Sequence, residues 1–514
     1  MTAAPPPPAP RPPDLPDDLS TPLYPDDRPR RVFLAGEWVA GEGRPIESRF
    51  PADGTLTATV PGASAAQVDA AVKAGRAAMA DPGWRDLKPH ERARALHAIS
   101  DELSRRAERI ARVQTRDTGK TLAETRALVA SAAATFRFMA AACETLEDQL
   151  TPPRGDYLTM SVHEPIGVVA AITPWNSPIA SDAQKVAPAL AAGNAVVLKP
   201  SGWSPLVCLE LAAAIEAAGL PKGLFSALPG SGGDVGEALV THPDVATVSF
   251  TGGTATGRRI AAKAAEKLMP VSLELGGKSP TVVFADADLD HALAGVLFGI
   301  FSSSGQSCIA GSRLYVERPV HDRFVERLVE RTKALRVGHP HDPATQVAPL
   351  ITPEHRASVE AYVDLARQEG GEILAGGARP EGPDFDAGSY YLPTVVAGLP
   401  DAARISREEI FGPVLVVLPF DDEDDLIARA NDSVYGLAAG IWSADYRRIW
   451  RVARRLEAGT VWINTYKQFS ISTPFGGMKD SGLGREKGRE GIRRYMRQKS
   501  LYWSLAERPW PWAG

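Results

Sequence analysis

Apolar and polar positions along the chain follow two periods, and the switches between them mark its elements. Residues 31–40 (RVFLAGEWVA) alternate around a glycine turn and predict a short hairpin. Residues 64–81 and 89–116 are alanine-rich with helical apolar spacing, and Ser64 is placed to cap the first of these helices. A third helix is expected over about 120–148, ending near the break at Pro152 and Pro153. Residues 157–173 read as extended, closing on VVAAIT.

From there the pattern becomes regular. Strand-like runs at 195–198, 224–228, 246–250, 271–275 and 281–284 are mostly separated by helical stretches near 181–192, 205–218, 232–241 and 254–268. Such alternation predicts a parallel sheet covered on both faces. A second alternating series runs from about 287 to 475, and a last short strand is expected over 499–505, beyond the glycine-rich 476–488 segment. No repeat of solenoid period is present. The fold class is therefore α/β, with two parallel-sheet domains and pieces left over at 150–170 and 490–505.

Composition narrows the function classes. A chain of 514 residues with 44% hydrophobic and 23% charged residues is long enough for two or three domains and a large core. A formal net charge of -5 gives no reason to expect nucleic acid or an anionic membrane as partner. The three cysteines, Cys143, Cys208 and Cys308, are too few and scattered for a disulfide framework, which fits a reducing compartment and a cytoplasmic location. No apolar run approaches the roughly 20 residues that span a bilayer. Residues 1–28, rich in proline and lacking an apolar signal core, read as a disordered tail.

Candidate chemistry centres on residues 274–310, which begin ELGGKSP and end GQSCIA. Glu274 stands beside Gly276 and Gly277, and Cys308 follows Gly305, Gln306 and Ser307. A thiolate is a strong nucleophile and a carboxylate can activate water, although a lone cysteine is more often a small buried hydrophobe. Open α/β sheets bind ligands beyond the C-terminal ends of their strands, and three turns lie at such ends. Thr173-Pro174-Trp175-Asn176-Ser177-Pro178 presents the Asn176 amide, either as a donor to an oxyanion or as an Asx turn. Lys199-Pro200-Ser201-Gly202 offers a cation for a ribose or phosphate. Phe250-Thr251-Gly252-Gly253, with Gly257 further on, opens a helix whose N-terminus suits a pyrophosphate, although it is not a GxGxxG fingerprint. Later, Glu408-Glu409-Ile410-Phe411 places carboxylate and aromatic ring in one turn, and 464–477 contains Phe469 and Phe475. The nine histidines show no metal-ligand spacing.

Taken in order, ITPWNSP, VVLKPSG, FTGGTATG, LELGGKSP, GQSCIA, EEIFGPV and PFGGMKDSGLGRE resemble the aldehyde dehydrogenase superfamily over about residues 30–505. The resemblance implies a Rossmann-like cofactor domain (29–148 and 167–276), a catalytic domain (277–477) and a small β arm for oligomerisation (149–166 and 489–505), giving a homodimer or homotetramer. It implies NAD or NADP as cofactor and a small-molecule aldehyde as substrate. Cys308 is then the nucleophile, Asn176 an oxyanion donor and Glu274 the base. Lys199 resembles the adenosine-ribose ligand, Glu409 the nicotinamide-ribose ligand and Phe411 the ring beside the nicotinamide. Thr173, Pro174, Trp175, Ser201, Leu275, Gly276 and the loop from Phe250 to Gly257 would complete the cofactor site.

Two departures matter. Gly202 replaces a glutamate that many NAD-using members carry, which predicts either use of both NAD and NADP or an NAD enzyme that tolerates the loss. On the substrate side Ser177 and Gln184 stand where many members carry aromatics, while Phe469, Phe475, Ser307 and Met139 are the other expected lining residues. That predicts a medium or bulky, polar aldehyde rather than acetaldehyde. The competing readings are a CoA-acylating relative, against which Glu274 argues, and a silent binding homologue, against which Cys308 and Asn176 argue.

Overall fold

A computed structural model describes residues 31–507 and residue 512; the proline-rich 1–28 segment lies outside the described residues. The hairpin forms between the strands Val32–Leu34 and Glu37–Val39, with Ala35 and Gly36 both at positive φ (53° and 92°) in the turn. Positive φ at both central residues gives the turn a twist that matches a right-handed strand pair.

The helix Ala65–Ala80 starts at Ser64, whose Oγ accepts from the Gln67 N–H while the Gln67 side chain accepts from the Ser64 N–H. The helix expected over 89–116 is two helices, Pro89–Arg105 and Ala107–Thr118, parted at Arg106 (ψ 7°). Neither glycine nor proline marks that break. Just beyond it, the Arg109 guanidinium donates to Glu210 at 2.9 Å. The third helix, Leu122–Cys143, is shorter than expected. By length and composition alone it is long and apolar enough to cross a membrane, against the expectation of no such run, and half of its most apolar window is buried inside the protein. It carries Glu124, Arg126 and Arg137 and buries Val129, Ala132, Phe136 and Met139 in the core.

An eight-stranded sheet holds five parallel strands in the order Phe225–Ala227, Ala195–Lys199, Val168–Ile172, Val245–Thr251, Val271–Glu274. The hairpin extends one edge antiparallel, and Gly482–Leu483 closes the other. The middle strands Val168–Ile172 and Ala195–Lys199 are buried along their whole length, as expected where helices cover both faces. Strand order reverses between Val168–Ile172 and Val245–Thr251, and a crevice opens at their carboxyl ends.

The second sheet has seven strands. Six are parallel: Thr394–Ala397, Val414–Phe420, Arg313–Glu317, Pro280–Val283, Ala438–Trp442 and Thr460–Ile463. The antiparallel Glu372–Ala375 lies at one edge.

The extended segment 157–173 is two strands in different sheets. Gly167 (φ 135°) turns the chain between Tyr157–Pro165 and Val168–Ile172, where a Cβ would meet the Ala246 side chain at 2.7 Å. Tyr157–Pro165 is the centre of a three-stranded antiparallel sheet, between Gln149–Thr151 and Met496–Ser504. The last strand is longer than expected, with nine residues in continuous register. The pairing partner, not the local sequence, sets that length.

Candidate active site

The crevice at the strand reversal is a cavity of about 810 Å³. One wall is the chain from Ile172 to Asn176, leaving the sheet at Ile172. Another is Lys199, Ser201 and Gly202, and a third is Phe250 to Gly253 with Thr256. Leu275 and Gly276, at the end of the strand Val271–Glu274, form a fourth, and Cys308, Glu409 and Phe411 close it from the second sheet's side. The topology thus gathers segments from four strand ends into one cleft.

The nucleophile's turn is held tightly. Ser303 and Ser304 lie in the left-handed region (φ 56° and 55°), which costs on the order of 1–2 kcal/mol per residue for an L-amino acid. Hydrogen bonds offset the strain. Glu124 Oε1 accepts from the Ser303 N–H (2.7 Å) and Oγ (2.9 Å), and Ser304 Oγ donates to the Ala348 carbonyl (2.6 Å). Gln306 Oε1 accepts from the Ile351 N–H at 2.9 Å. Gly305 (φ 71°) lies against the next turn so closely that a Cβ would meet the Gly412 carbonyl oxygen at 2.0 Å. The Asn176 amide donates to the Gln306 carbonyl at 3.1 Å, which places it beside Cys308 on the cavity wall.

Burial dominates the electrostatics. It pushes the Cys308 thiol up to about 12, with Glu409 and Glu274 adding to the shift and Lys467 opposing it. Glu274 ends its strand, is buried and holds its proton far above the usual carboxylate range, through burial and then the neighbouring Glu486. Neither Glu274 oxygen has a hydrogen-bond partner among the described residues, and Glu274 stands behind the cavity wall rather than on it. Burial pushes Glu409 up to about 7 against a hydrogen bond from the Gly277 N–H (3.0 Å). Lys199 falls to about 8 through burial, and its Nζ donates to the Pro200 carbonyl at 2.7 Å.

The cavity fits a dinucleotide. The helix Thr254–Ala265 begins at Gly253 with no side-chain cap, and Gly253 and Thr256 at its N-terminus line the cavity. A Cβ on Gly202 or on Gly253 would meet nothing within 4 Å, so both stand beside open space. Phe411 (φ 59°) stands edge-on to Trp175 at 5.2 Å between ring centroids.

Other expected residues lie elsewhere. Gly257 is buried beneath the helix, where a Cβ would collide with Leu275 at 2.4 Å. Met139 is fully buried in the helical core near Gly491. Ser177 and Gln184 are half-buried at the start and middle of the helix Pro178–Ala191. Ser307 lines a small void shared with Glu409 and Gly412. Phe469 and Phe475 pack edge to face at 5.4 Å, outside the large cavity.

The sequence reading missed His355, Gly233, Gly236, Arg259 and Lys263, all on the wall. The glycines of PGSGGDVG were a usable signal. Arg259 and Lys263 were not: four residues apart on a helix, they look like ordinary solvated charges. His355 donates through Nε2 to the Phe411 carbonyl at 2.8 Å, and burial holds it neutral.

A two-sheet α/β fold with a dinucleotide-sized crevice at the strand reversal, and a cysteine on its wall, defines a nicotinamide-dependent oxidoreductase. The aldehyde dehydrogenase family profile matches residues 38–501. The chain is 44% identical over 474 residues to the betaine aldehyde dehydrogenase of Mesorhizobium japonicum, covering 91% of this chain and 96% of that one. Among solved structures it superposes on the betaine aldehyde dehydrogenase of Staphylococcus aureus in complex with NAD+ with a TM-score of 0.92 and 36% identity, covering 94% of this chain and 97% of the other. An NAD+ complex of aldehyde dehydrogenase from Bacillus cereus superposes with the same TM-score and identity, covering 96% and 99%. The chain belongs to the aldehyde dehydrogenase family, and its reaction is the NAD(P)-dependent oxidation of an aldehyde to the acid.

Proposed function

We propose that Cys308 is the nucleophile, with Asn176 and Glu274 in the roles their positions support. The observation that carries this is the placement of Cys308 and the Asn176 amide on one cavity wall, with an unpartnered buried carboxyl at Glu274 behind it. Cys308 Sγ, once deprotonated, adds to the aldehyde carbon. The resulting thiohemiacetal oxygen takes hydrogen bonds from Asn176 Nδ2 and the Cys308 N–H. When bound, the nicotinamide cofactor would supply the acceptor for the hydride of that carbon, and Cys308 would then hold the acyl group as a thioester. Glu274, as the carboxylate, takes a proton from a water that attacks the thioester, releasing the acid and the thiolate. Lys199, Glu409, Phe411 and the Gly253 helix start would hold the cofactor. Cys308→Ala tests the assignment: turnover disappears while NAD+ still binds. Activity close to the parent's removes Cys308 from this role.

The substrate supported by Ser177 and Gln184 is a medium or bulky, polar aldehyde. Acetaldehyde as the best substrate by kcat/KM overturns that. A second reading, betaine aldehyde, rests on the name of the 44%-identical relative.

Both NAD and NADP are accommodated. The space at Gly202 is open, and Arg259 and Lys263 line the same cavity. Lys263 is partly offset by Glu237 at 3.5 Å. NADP turnover at background removes this proposal.

The remaining readings concern architecture. The strand Met496–Ser504 is an edge, with Tyr502 and Trp503 exposed, and supports strand addition into a homodimer or homotetramer. On this reading 29–148 with 167–276 is the cofactor domain and 277–477 the catalytic domain. Light scattering that reports a monomer overturns the assembly. The three unpaired cysteines support a cytoplasmic location.

A further inference from the structure

Two lysines outside the cofactor cavity act on Cys308 through their charge and have no part in the steps above. Lys487 is only 7% exposed and sits in the left-handed region (φ 59°). Its Nζ lies 3.7 Å from the Phe469 ring centroid and 5.4 Å from that of Phe475. Among the described residues its ammonium has neither a hydrogen-bond nor an ion-pair partner, and its field reaches both Cys308 and Glu274. Lys467 (φ 54°) donates to Ser302 Oγ at 2.8 Å, lies 5.9 Å from the Phe298 ring centroid and also acts on Cys308. Lys120, buried nearby, adds a third positive charge.

Nearby carboxylates offset these charges only through space, Glu124 acting on Lys120 and Lys467 and Glu486 on Lys487, and none forms an ion pair with Lys467 or Lys487 among the described residues. Glu124 accepts from Ser303 and Thr121, and Glu486 is paired with Lys185. Burial and then Glu486 raise the Glu274 carboxyl well above its usual range, while Lys185 and Lys487 pull it down. Buried cations without partners are costly, and an incoming anion relieves the cost. A quaternary ammonium head, in contrast, is recognised by open aromatic faces. Here the Phe469 face already carries a lysine.

Building on the reading of Cys308 as nucleophile, we propose that the polar aldehyde is anionic, an ω-oxo carboxylate whose carboxylate is received by Lys487 and Lys467. The aldehyde carbon is then presented to Cys308 and the product is a dicarboxylate. Burial, and for Lys467 the neighbouring Lys120, draws the two ammonium groups down to about 8 and about 7, so a bound carboxylate also holds them charged.

The test compares 4-oxobutanoate, pentanal and betaine aldehyde as substrates of the full chain with NAD+. Succinate and butyrate binding to the cofactor-free protein is measured by calorimetry. The expected result is a kcat/KM for 4-oxobutanoate at least about tenfold above pentanal, with betaine aldehyde the poorest, as a charge-assisted hydrogen bond gives. Lys487→Met lowers the 4-oxobutanoate to pentanal ratio at least about tenfold, chiefly through KM, and weakens succinate binding alike, while Lys487→Arg largely restores both. Turnover of pentanal or betaine aldehyde at or above the rate for the anion overturns the inference and leaves the nucleophile assignment standing. A Lys487→Met loss that falls equally on all three aldehydes, with succinate binding unchanged, also overturns it. Failure to oxidise any of the three, with no binding of succinate, removes both the inference and the reading beneath it.

Discussion

Lys185 and Glu486, 301 residues apart, form a buried ion pair with Nζ to Oε1 at 2.5 Å, and Lys185 also donates to Ser249 Oγ at 3.0 Å. The pair ties the helix Pro178–Ala191 to the C-terminal segment and places Glu486 beside Glu274, whose proton it helps to retain. Removing one partner leaves the other charge buried and unpaired. Lys185→Met is therefore expected to destabilise the protein by about 3–5 kcal/mol, read as a lower urea midpoint. Lys185→Met with Glu486→Gln should recover part of that loss.

Cys308→Ala should lower kcat by at least about 10³-fold, since a nucleophile that acts with its partners as a unit leaves little activity behind. Fluorescence titration should show NAD+ affinity close to the parent's. A variant that keeps a tenth of the parental rate would contradict the assignment.

Gly305→Ala meets two obstacles at once. The residue sits at φ 71°, and its new Cβ would lie 2.0 Å from a backbone oxygen of Gly412 that has no flexible side chain to move. A loss of more than about 2 kcal/mol is expected from conformation and collision together, with activity falling more steeply than stability because the Cys308 turn shifts. Thermal unfolding and steady-state rates on one preparation check both.

Asp117 gives a pH prediction. Burial pushes its carboxyl up to about 7 from an ordinary 3.8, although Ser48 and Leu206 donate to it and pull the other way. The folded state therefore binds the proton more tightly than the unfolded one. The contribution to stability is full below about pH 4 and is lost as pH rises through about 7. Asp117→Asn keeps an acceptor for the Leu206 N–H and removes the titration. The fall in denaturation midpoint between pH 4 and 7 should be shallower than in the parent.

Gly202→Glu would fill space that is open beside Lys199 and Ser201. A carboxylate there can accept from ribose hydroxyls but repels a 2′-phosphate. The kcat/KM ratio of NADP to NAD should drop at least about tenfold, mostly through the KM for NADP. An unchanged ratio would show that Gly202 does not face the ribose.

The sequence by itself determined what depends on neighbours along the chain. The period of apolar positions gave the parallel strands and their helices, Ser64 marked the N-cap of the helix Ala65–Ala80, and the ordered motifs marked most of the cavity wall. Tertiary structure decided what depends on distant partners. It broke the 89–116 helix at Arg106, split 157–173 between two sheets at Gly167 and lengthened the last strand to match Tyr157–Pro165. It put Met139 in the core and brought Arg259, Lys263 and His355 to the cleft. It also set Lys487 over Phe469 as a buried cation. The reason is physical: backbone period and capping are fixed within a few residues. Burial, and with it the charge state of Cys308, Glu274 and Lys487, is set by what the rest of the chain packs around them.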